Sequence, residues 1–185
     1  GSNIISFVDA RQLKAENMVK LPVIVYNRKS QEDVFISAVS LRRKLELEAV
    51  QGQKNGGKYI RPIVLFQAQP KNNADSTTYE KIKHTLMEMG IPESEIAIKT
   101  ADKDELKNID LSSSDCNIRY IITVNALKEG WDCPFAYILA TVANRTSSID
   151  VEQILGRILR LPNTKKNKSE VLNLSYVITS SNAFY

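Results

Sequence analysis

Three stretches of this chain are apolar almost without a break: Arg61-Pro62-Ile63-Val64-Leu65-Phe66-Gln67, Arg119-Tyr120-Ile121-Ile122-Thr123-Val124 and Phe135-Ala136-Tyr137-Ile138-Leu139-Ala140-Thr141-Val142. A strand with one wet face alternates apolar and polar residues. A strand that reads apolar throughout is buried on both faces, which is the habit of parallel sheets. Parallel neighbours need long crossover connections. Helical patterns lie between several of the strands, so the chain is expected to be α/β, with helices on both faces of a mainly parallel central sheet.

The remaining elements fit that scheme. Leu21 to Tyr26 reads as a strand that opens at Pro22, where a missing N–H does least harm. Ile96 to Lys99 and Val171 to Ile178 are two more strands, and residues 4–9 form a short apolar run of the same kind. Ser30 can cap a long helix over residues 31–50, with Phe35, Ala38, Val39, Arg42, Leu45 and Ala49 on one stripe. Residues 51–58 carry three of the seven glycines and read as a linker. A second helix over 76–89 sets Tyr79, Ile82, Leu86 and Met89 on one stripe, and Gly90 stops it. Residues 102–108 suggest a brief helix. The chain thus divides into residues 1–58 (N-terminal strand or strands, long helix, linker) and residues 59–185, the α/β domain proper.

Bulk properties exclude several classes. At 185 residues the chain suits one domain with an ordinary core. No apolar run is long enough to span a bilayer, and no signal peptide opens the chain. Gly1-Ser2 resembles a cloning remnant and suggests an excised domain. Cys116 and Cys133 are far apart, so neither a disulfide framework nor a zinc site is indicated, and reduced thiols in a cytoplasmic protein are expected. The sole histidine, His84, lies off the apolar stripe of its helix and reads as solvated. A net charge of +4 and a pI near 9.0 permit a nucleic-acid partner without requiring one. The P-loop pattern is absent, and no strand is followed by G-x-G-x-x-G, which argues against a dinucleotide-binding enzyme.

Parallel sheets bind ligands beyond the carboxyl ends of their strands. Three loops are candidates for that edge: after Phe66, after Val124 and after Val142. In the second, Thr123 and Asn125 close a strand, and Gly130 and Asp132 flank Trp131. Asp132 could accept a hydrogen bond from a ribose hydroxyl. A turn glycine, a core tryptophan and a local cap explain the same residues. The third loop feeds Val151-Glu152-Gln153-Ile154-Leu155-Gly156-Arg157-Ile158-Leu159-Arg160. On a helix, Gln153, Arg157 and Arg160 fall at i, i+4 and i+7 on one face, and Val151, Ile154, Leu155 and Ile158 cover the other. Gly156 lies beside the polar row, although glycine inside a helix costs about 1 kcal/mol relative to alanine. Guanidinium forks match phosphate oxygens, so the face suits a polyanion. A salt-bridged surface helix is the alternative. Lys165, Lys166 and Lys168 read as a solvated loop that could also touch phosphates.

Taken together, the order strand–Thr123–loop–Gly130-x-Asp132–strand–loop–Gln153-x-x-Gly156-Arg157-x-x-Arg160 resembles motifs V and VI of superfamily 2 helicases and translocases. Residues 61–70 (RPIVLFQAQP) sit where that family has motif IV. Residues 119–142 and 152–162, above all the phrase KEGWDCP, look most like the helicase subunit of type III restriction enzymes and its DEAD/DEAH-box relatives. Residues 14–26 also resemble that subunit.

The resemblance implies a RecA-like, three-layer α/β/α domain: the second motor domain of an ATP-dependent DNA helicase or translocase. It implies that Arg157 and Arg160 reach toward the triphosphate, at least one as an arginine finger, with Gln153 orienting them. It puts Gly130 and Asp132 at the nucleotide and Thr123, Asn125 and Gln67, with Phe66 and Ala68, on the nucleic-acid side. ATP and Mg2+ would be held mainly by a first RecA-like domain, whose Walker A and B elements these residues lack. DNA, that first domain and a DNA-methyltransferase subunit are the implied partners, in a bacterial cytoplasm. The alternative is a RecA-like module that binds nucleic acid or protein without catalysis.

Overall fold

The structure is a computed structural model that describes residues 11–12, 22–70, 77–124, 133–142 and 167–180. Among the described residues, seven strands form one sheet: β1 (Arg11–Gln12), β2 (Pro22–Arg28), β3 (Ile63–Gln67), β4 (Ile96–Lys99), β5 (Tyr120–Thr123), β6 (Ala136–Thr141) and β7 (Ser175–Ser180). Their order across the sheet is β1-β2-β7-β6-β3-β5-β4. Every pairing from β2 to β4 is parallel, and β1 adds an antiparallel edge to β2. The apolar runs become the central strands, and β6 is buried at all six positions.

Helix α1 (Gln31–Lys54) connects β2 to β3, and α2 (Tyr79–Glu88) connects β3 to β4. Both crossovers step the same way across the sheet, so the right-handed rule sets both helices on one face. The opposite face is equally closed, with Leu65, Ile121, Leu139 and Val177 at most 1% exposed. This is the three-layer α/β architecture, with a mainly parallel central sheet, that RecA-like domains have. Among the described residues, no helix is long and apolar enough to cross a membrane.

Helix α1 forms as its sequence dictates at the start and differs at the end. Ser30 Oγ accepts the Asp33 N–H at 3.1 Å, and the whole expected stripe is buried, with Val34 added. The helix continues to Lys54 instead of stopping near residue 50. Gly56 then takes φ +90°, its N–H reaching Gln53 O at 3.1 Å, while the Gly57 N–H reaches Gly52 O at 2.8 Å. These two bonds satisfy the last carbonyls as a Schellman cap does. A Cβ on Gly57 would stand 2.7 Å from Gly52 O, so that glycine is needed for close approach. Residues 51–58 are therefore a last helical turn and its cap, not a linker.

The helix is locked to the sheet at both levels of its buried stripe. Phe35 stacks on Phe66 with ring centroids 5.1 Å apart. Arg42, 4% exposed, donates to Tyr120 OH at 3.2 Å, Glu46 Oε1 at 3.0 Å and Pro62 O at 3.3 Å. Strand β2 pairs with β7 over six positions. Residues 22–54, grouped from the sequence with the N-terminal segment, thus share this sheet and core.

Helix α2 is shorter than expected because Thr78 caps it, accepting the Lys81 N–H at 3.4 Å, and Gly90, at φ +91°, ends it. Residues 102–108 form turns rather than a helix, since side chains compete for their backbone. Thr100 Oγ1 takes the Lys103 N–H at 3.1 Å, and Glu105 Oε1 takes the Ile98 N–H at 2.8 Å. That carboxylate caps a donor on the exposed edge of β4, one way to blunt an open edge. Strand β7 begins at Ser175 because Glu170–Asn173 form a 3-10 turn. The expected strand over residues 4–9 lies outside the described residues.

Candidate functional site

Side chains alternate across a strand, and registered neighbours in a parallel sheet share a face. On the face away from α1, the register aligns Ala97, Ile121, Leu65, Leu139, Val177 and Val25 across the six parallel strands. Two residues further along each strand, the same register aligns Lys99, Thr123, Gln67, Thr141, Thr179 and Asn27. One pleat converts a wholly apolar row into a wholly polar one. The polar row lies at the carboxyl end of the sheet, where parallel α/β domains bind ligands.

The row is buried in its middle and open at one end. Thr123, Thr141 and Thr179 are fully buried, Gln67 and Lys99 are half-buried, and Asn27 is exposed. Lys99 donates to Asp104 Oδ2 at 3.3 Å. Two members lack what burial demands: Gln67 Oε1 and Thr123 Oγ1 have no hydrogen-bond partner among the described residues. An unpaired buried polar group costs about 1–3 kcal/mol. The two residues are register partners on adjacent strands, so their unmet groups lie side by side.

Their backbone is firmly held. The Ala68 N–H reaches Thr123 O at 2.7 Å, and the Val142 N–H reaches Gln67 O at 3.4 Å. A chain of side-chain bonds then ties the loop after β3 to the end of β6. Gln69 Oε1 accepts the Thr77 N–H at 2.8 Å, Thr77 Oγ1 donates to Gln31 Oε1 at 3.2 Å, and Gln31 Nε2 donates to Val142 O at 3.2 Å. Gln31, Gln69 and Thr77 position this edge, and sequence reading missed all three. Their roles depend on contacts between segments 46 and 111 residues apart, which leave no local pattern.

Of the residues that the resemblance assigns to nucleic acid, Gln67 and Thr123 come together. Phe66 does not join them: it is fully buried against Phe35 and faces α1, as strand alternation requires of the residue before Gln67. Ala68 is also buried, at 2% exposure. Asn125, Gly130, Asp132, Gln153, Gly156, Arg157 and Arg160 lie outside the described residues, as do Lys165 and Lys166. Lys168 is exposed. His84 is exposed on α2 and pairs with Glu88 at 3.0 Å, a surface helix contact. Cys116 is half-buried and Cys133 buried, and no group of three metal-ligating side chains occurs among the described residues.

Electrostatics separate this edge from the opposite one. Near the amino ends of the strands, burial alone would raise the Glu46 carboxyl, but hydrogen bonds from Arg119 at 2.9 Å and Arg42 at 3.0 Å outweigh it and hold it below its ordinary value. Burial pushes the Tyr120 and Tyr137 hydroxyls up. The polar row carries one formal charge, Lys99, so its middle offers neutral hydrogen-bonding groups. Such groups suit a sugar-phosphate backbone followed without base readout.

The fold and this edge define a three-layer, mainly parallel α/β domain with a polar row at the strands' carboxyl termini. No family model matches the chain, and no curated protein matches it.

Proposed function

We propose that the chain is the second RecA-like motor domain of an ATP-dependent superfamily 2 DNA helicase or translocase, most similar to the helicase subunit of type III restriction enzymes. The observation that carries this reading is the pairing of Gln67 with Thr123 at the carboxyl edge. Both bear unmet polar groups, and both fall where the resemblance expects nucleic-acid contacts. The Thr123 hydroxyl can donate to a phosphate oxygen, and Gln67 Oε1 can accept from a sugar hydroxyl or a base N–H. Asn125 would extend the same contact.

In this reading Arg157 and Arg160 supply fixed guanidinium charge to the transferring phosphoryl oxygens, and Gln153 orients them. Gly130 and Asp132 meet the nucleotide sugar and phosphates. When bound, ATP with Mg2+ would close the two domains, and its hydrolysis would let them reopen. A partner RecA-like domain holds both, since these residues contain no Walker A or B element. The working assembly would include DNA and a DNA-methyltransferase subunit, in a bacterial cytoplasm.

Arginine fingers are worth about 10³–10⁵ in kcat. In the parent enzyme, Arg160→Ala should lower kcat by that order while the melting temperature stays unchanged, and near-normal turnover would remove Arg160 from this role. The 185-residue chain alone should show no magnesium-dependent ATPase. A RecA-like module that binds nucleic acid or protein without catalysis is the second reading. Oligonucleotide binding together with a silent Arg160→Ala in the parent would select it.

A further inference from the structure

A second polar feature lies at the same carboxyl end, on the α1 face. Between the end of β2 and the first turns of α1 is a cavity of about 130 Å³, lined by Tyr26, Arg28, Ser37, Ser40, Leu41 and Lys44 among others. One water needs about 10–15 Å³, so the space admits a small polyatomic ion. Its lining holds two cations, two serine hydroxyls and no carboxylate.

Arg28 is fixed in place. Its Nε donates to Ser37 Oγ at 2.8 Å, and its guanidinium carbon stands 5.0 Å from the centroid of the Tyr26 ring. Those two contacts use one donor and one face, and the two terminal nitrogens have no hydrogen bond among the described residues. Lys44, four residues beyond Ser40 on α1, has no carboxylate partner among the described residues either. A held guanidinium with free terminal donors, an unpaired ammonium and two hydroxyls match a tetrahedral oxyanion.

We propose that this cavity is a subsite for a phosphate group, supplied either by a nucleic-acid backbone or as free phosphate. The first source rests on the function proposed above. Arg28 and Gln67 end strands three positions apart in the sheet, roughly 14 Å at 4.8 Å per strand. One strand crossing the carboxyl end could meet both.

The test uses the chain itself, with Arg28→Gln and Lys44→Gln, singly and together. Lys44 is exposed, so its variant keeps the fold if Arg28→Gln does not. Inorganic phosphate titrated into labelled protein should move the Arg28 Nε–H and the Ser37 and Ser40 amide resonances, and the double variant should lose that response. With a single-stranded oligonucleotide, the slope of log affinity against log salt should shrink by about 0.7, the contribution of one single-strand phosphate. If the oligonucleotide fails to bind while the phosphate response persists, the pocket stands as a free-phosphate site and the helicase reading loses its support. If phosphate moves the Ser37 and Ser40 amide resonances equally in the unaltered chain and the double variant, or moves neither, the pocket is overturned whatever the oligonucleotide does.

Discussion

Arg61 precedes β3 and Gln67 ends it, so the two stand at opposite edges of the sheet, roughly 20 Å apart at 3.3 Å per residue. Both are large polar side chains brought into the interior, and their surroundings differ completely. Arg61 is 1% exposed and donates to Tyr59 OH, Ile118 O, Ser113 O and Leu111 O. Its guanidinium also faces the rings of Tyr59 and Phe135. At the other edge, Gln67 Oε1 and Thr123 Oγ1 are buried with nothing to bond. A polar group whose every bond is made inside the protein serves the fold. A buried polar group left unpaired costs stability; among the described residues the carboxyl edge holds two such atoms side by side, and the third, Tyr137 OH, stands apart near the amino end of β6.

The first way to break this contrast is Arg61→Met. It keeps much of the volume and strands the carbonyls of Leu111, Ser113 and Ile118, which hold the loop between β4 and β5. The expected loss is about 3–5 kcal/mol, or on the order of 10 °C in Tm for a chain of this size. Thermal denaturation reads it directly. A change of under about 1 kcal/mol would mean that the satisfied edge is no more structural than the unsatisfied one.

Thr123→Val tests the other edge and should behave in the opposite way. The substitution removes a hydroxyl that has no partner, so stability should hold or rise by about 1 kcal/mol. Oligonucleotide affinity should fall about ten- to a hundredfold, the 1.5–3 kcal/mol of a hydrogen bond to a charged group. Chemical denaturation and fluorescence anisotropy on the same protein supply the two numbers. Lost stability with unchanged affinity would make Thr123 an ordinary core threonine.

The Glu46 cluster sharpens the comparison through pH. Glu46 is held below its unfolded carboxyl value by Arg119 and Arg42. A depressed carboxyl stabilises the fold above its unfolded value, near 4.3, and that contribution vanishes as pH falls through the folded value. Glu46 is 28% exposed, so solvent screening limits the effect to about 1 kcal/mol at neutral pH. Glu46→Gln should lower stability by that amount at pH 7 and flatten the dependence below pH 5. A parallel pair of stability–pH curves would show that the cluster contributes no charge-linked stability.

These two edges were unequally legible in the sequence. The central strands announced themselves by unbroken apolar runs, and the α1 stripe, Ser30 and Gly90 obeyed local capping and periodicity rules. Arg42 and Arg61 also appeared in apolar patterns, but their partners lie up to 78 residues away, where no local pattern reaches. The polar row was invisible for a different reason. Each strand contributes one residue, an innocuous threonine, glutamine, lysine or asparagine at its end, and only the register aligns them. Thr123 was singled out by its place at a strand's carboxyl end and Gln67 through family resemblance, whereas Thr141 and Thr179 carry no motif. Residues 51–58 misled because three glycines in eight residues signal a break by composition. The signal changes meaning once Gly56 and Gly57 close hydrogen bonds to the helix behind them.

Gly52 offers the smallest effect and the cleanest control. It lies inside α1, and a Cβ built there meets nothing within 4 Å. Alanine at that position restricts the unfolded chain and suits the helix, so Gly52→Ala should add about 0.5–1 kcal/mol. Gly56, only four residues on, has φ +90° and should lose about 1–2 kcal/mol on the same substitution, because an L side chain is strained there. The pair matters because a weak, partly open binding edge could gain or lose affinity simply by following global stability. If oligonucleotide affinity stays level across Gly52→Ala and Gly56→Ala while Thr123→Val lowers it, binding is a local property of the carboxyl edge. If affinity instead rises and falls with the two glycine variants, the deficit at Thr123 cannot be assigned to its hydroxyl, and the division of labour between the two edges of the sheet fails.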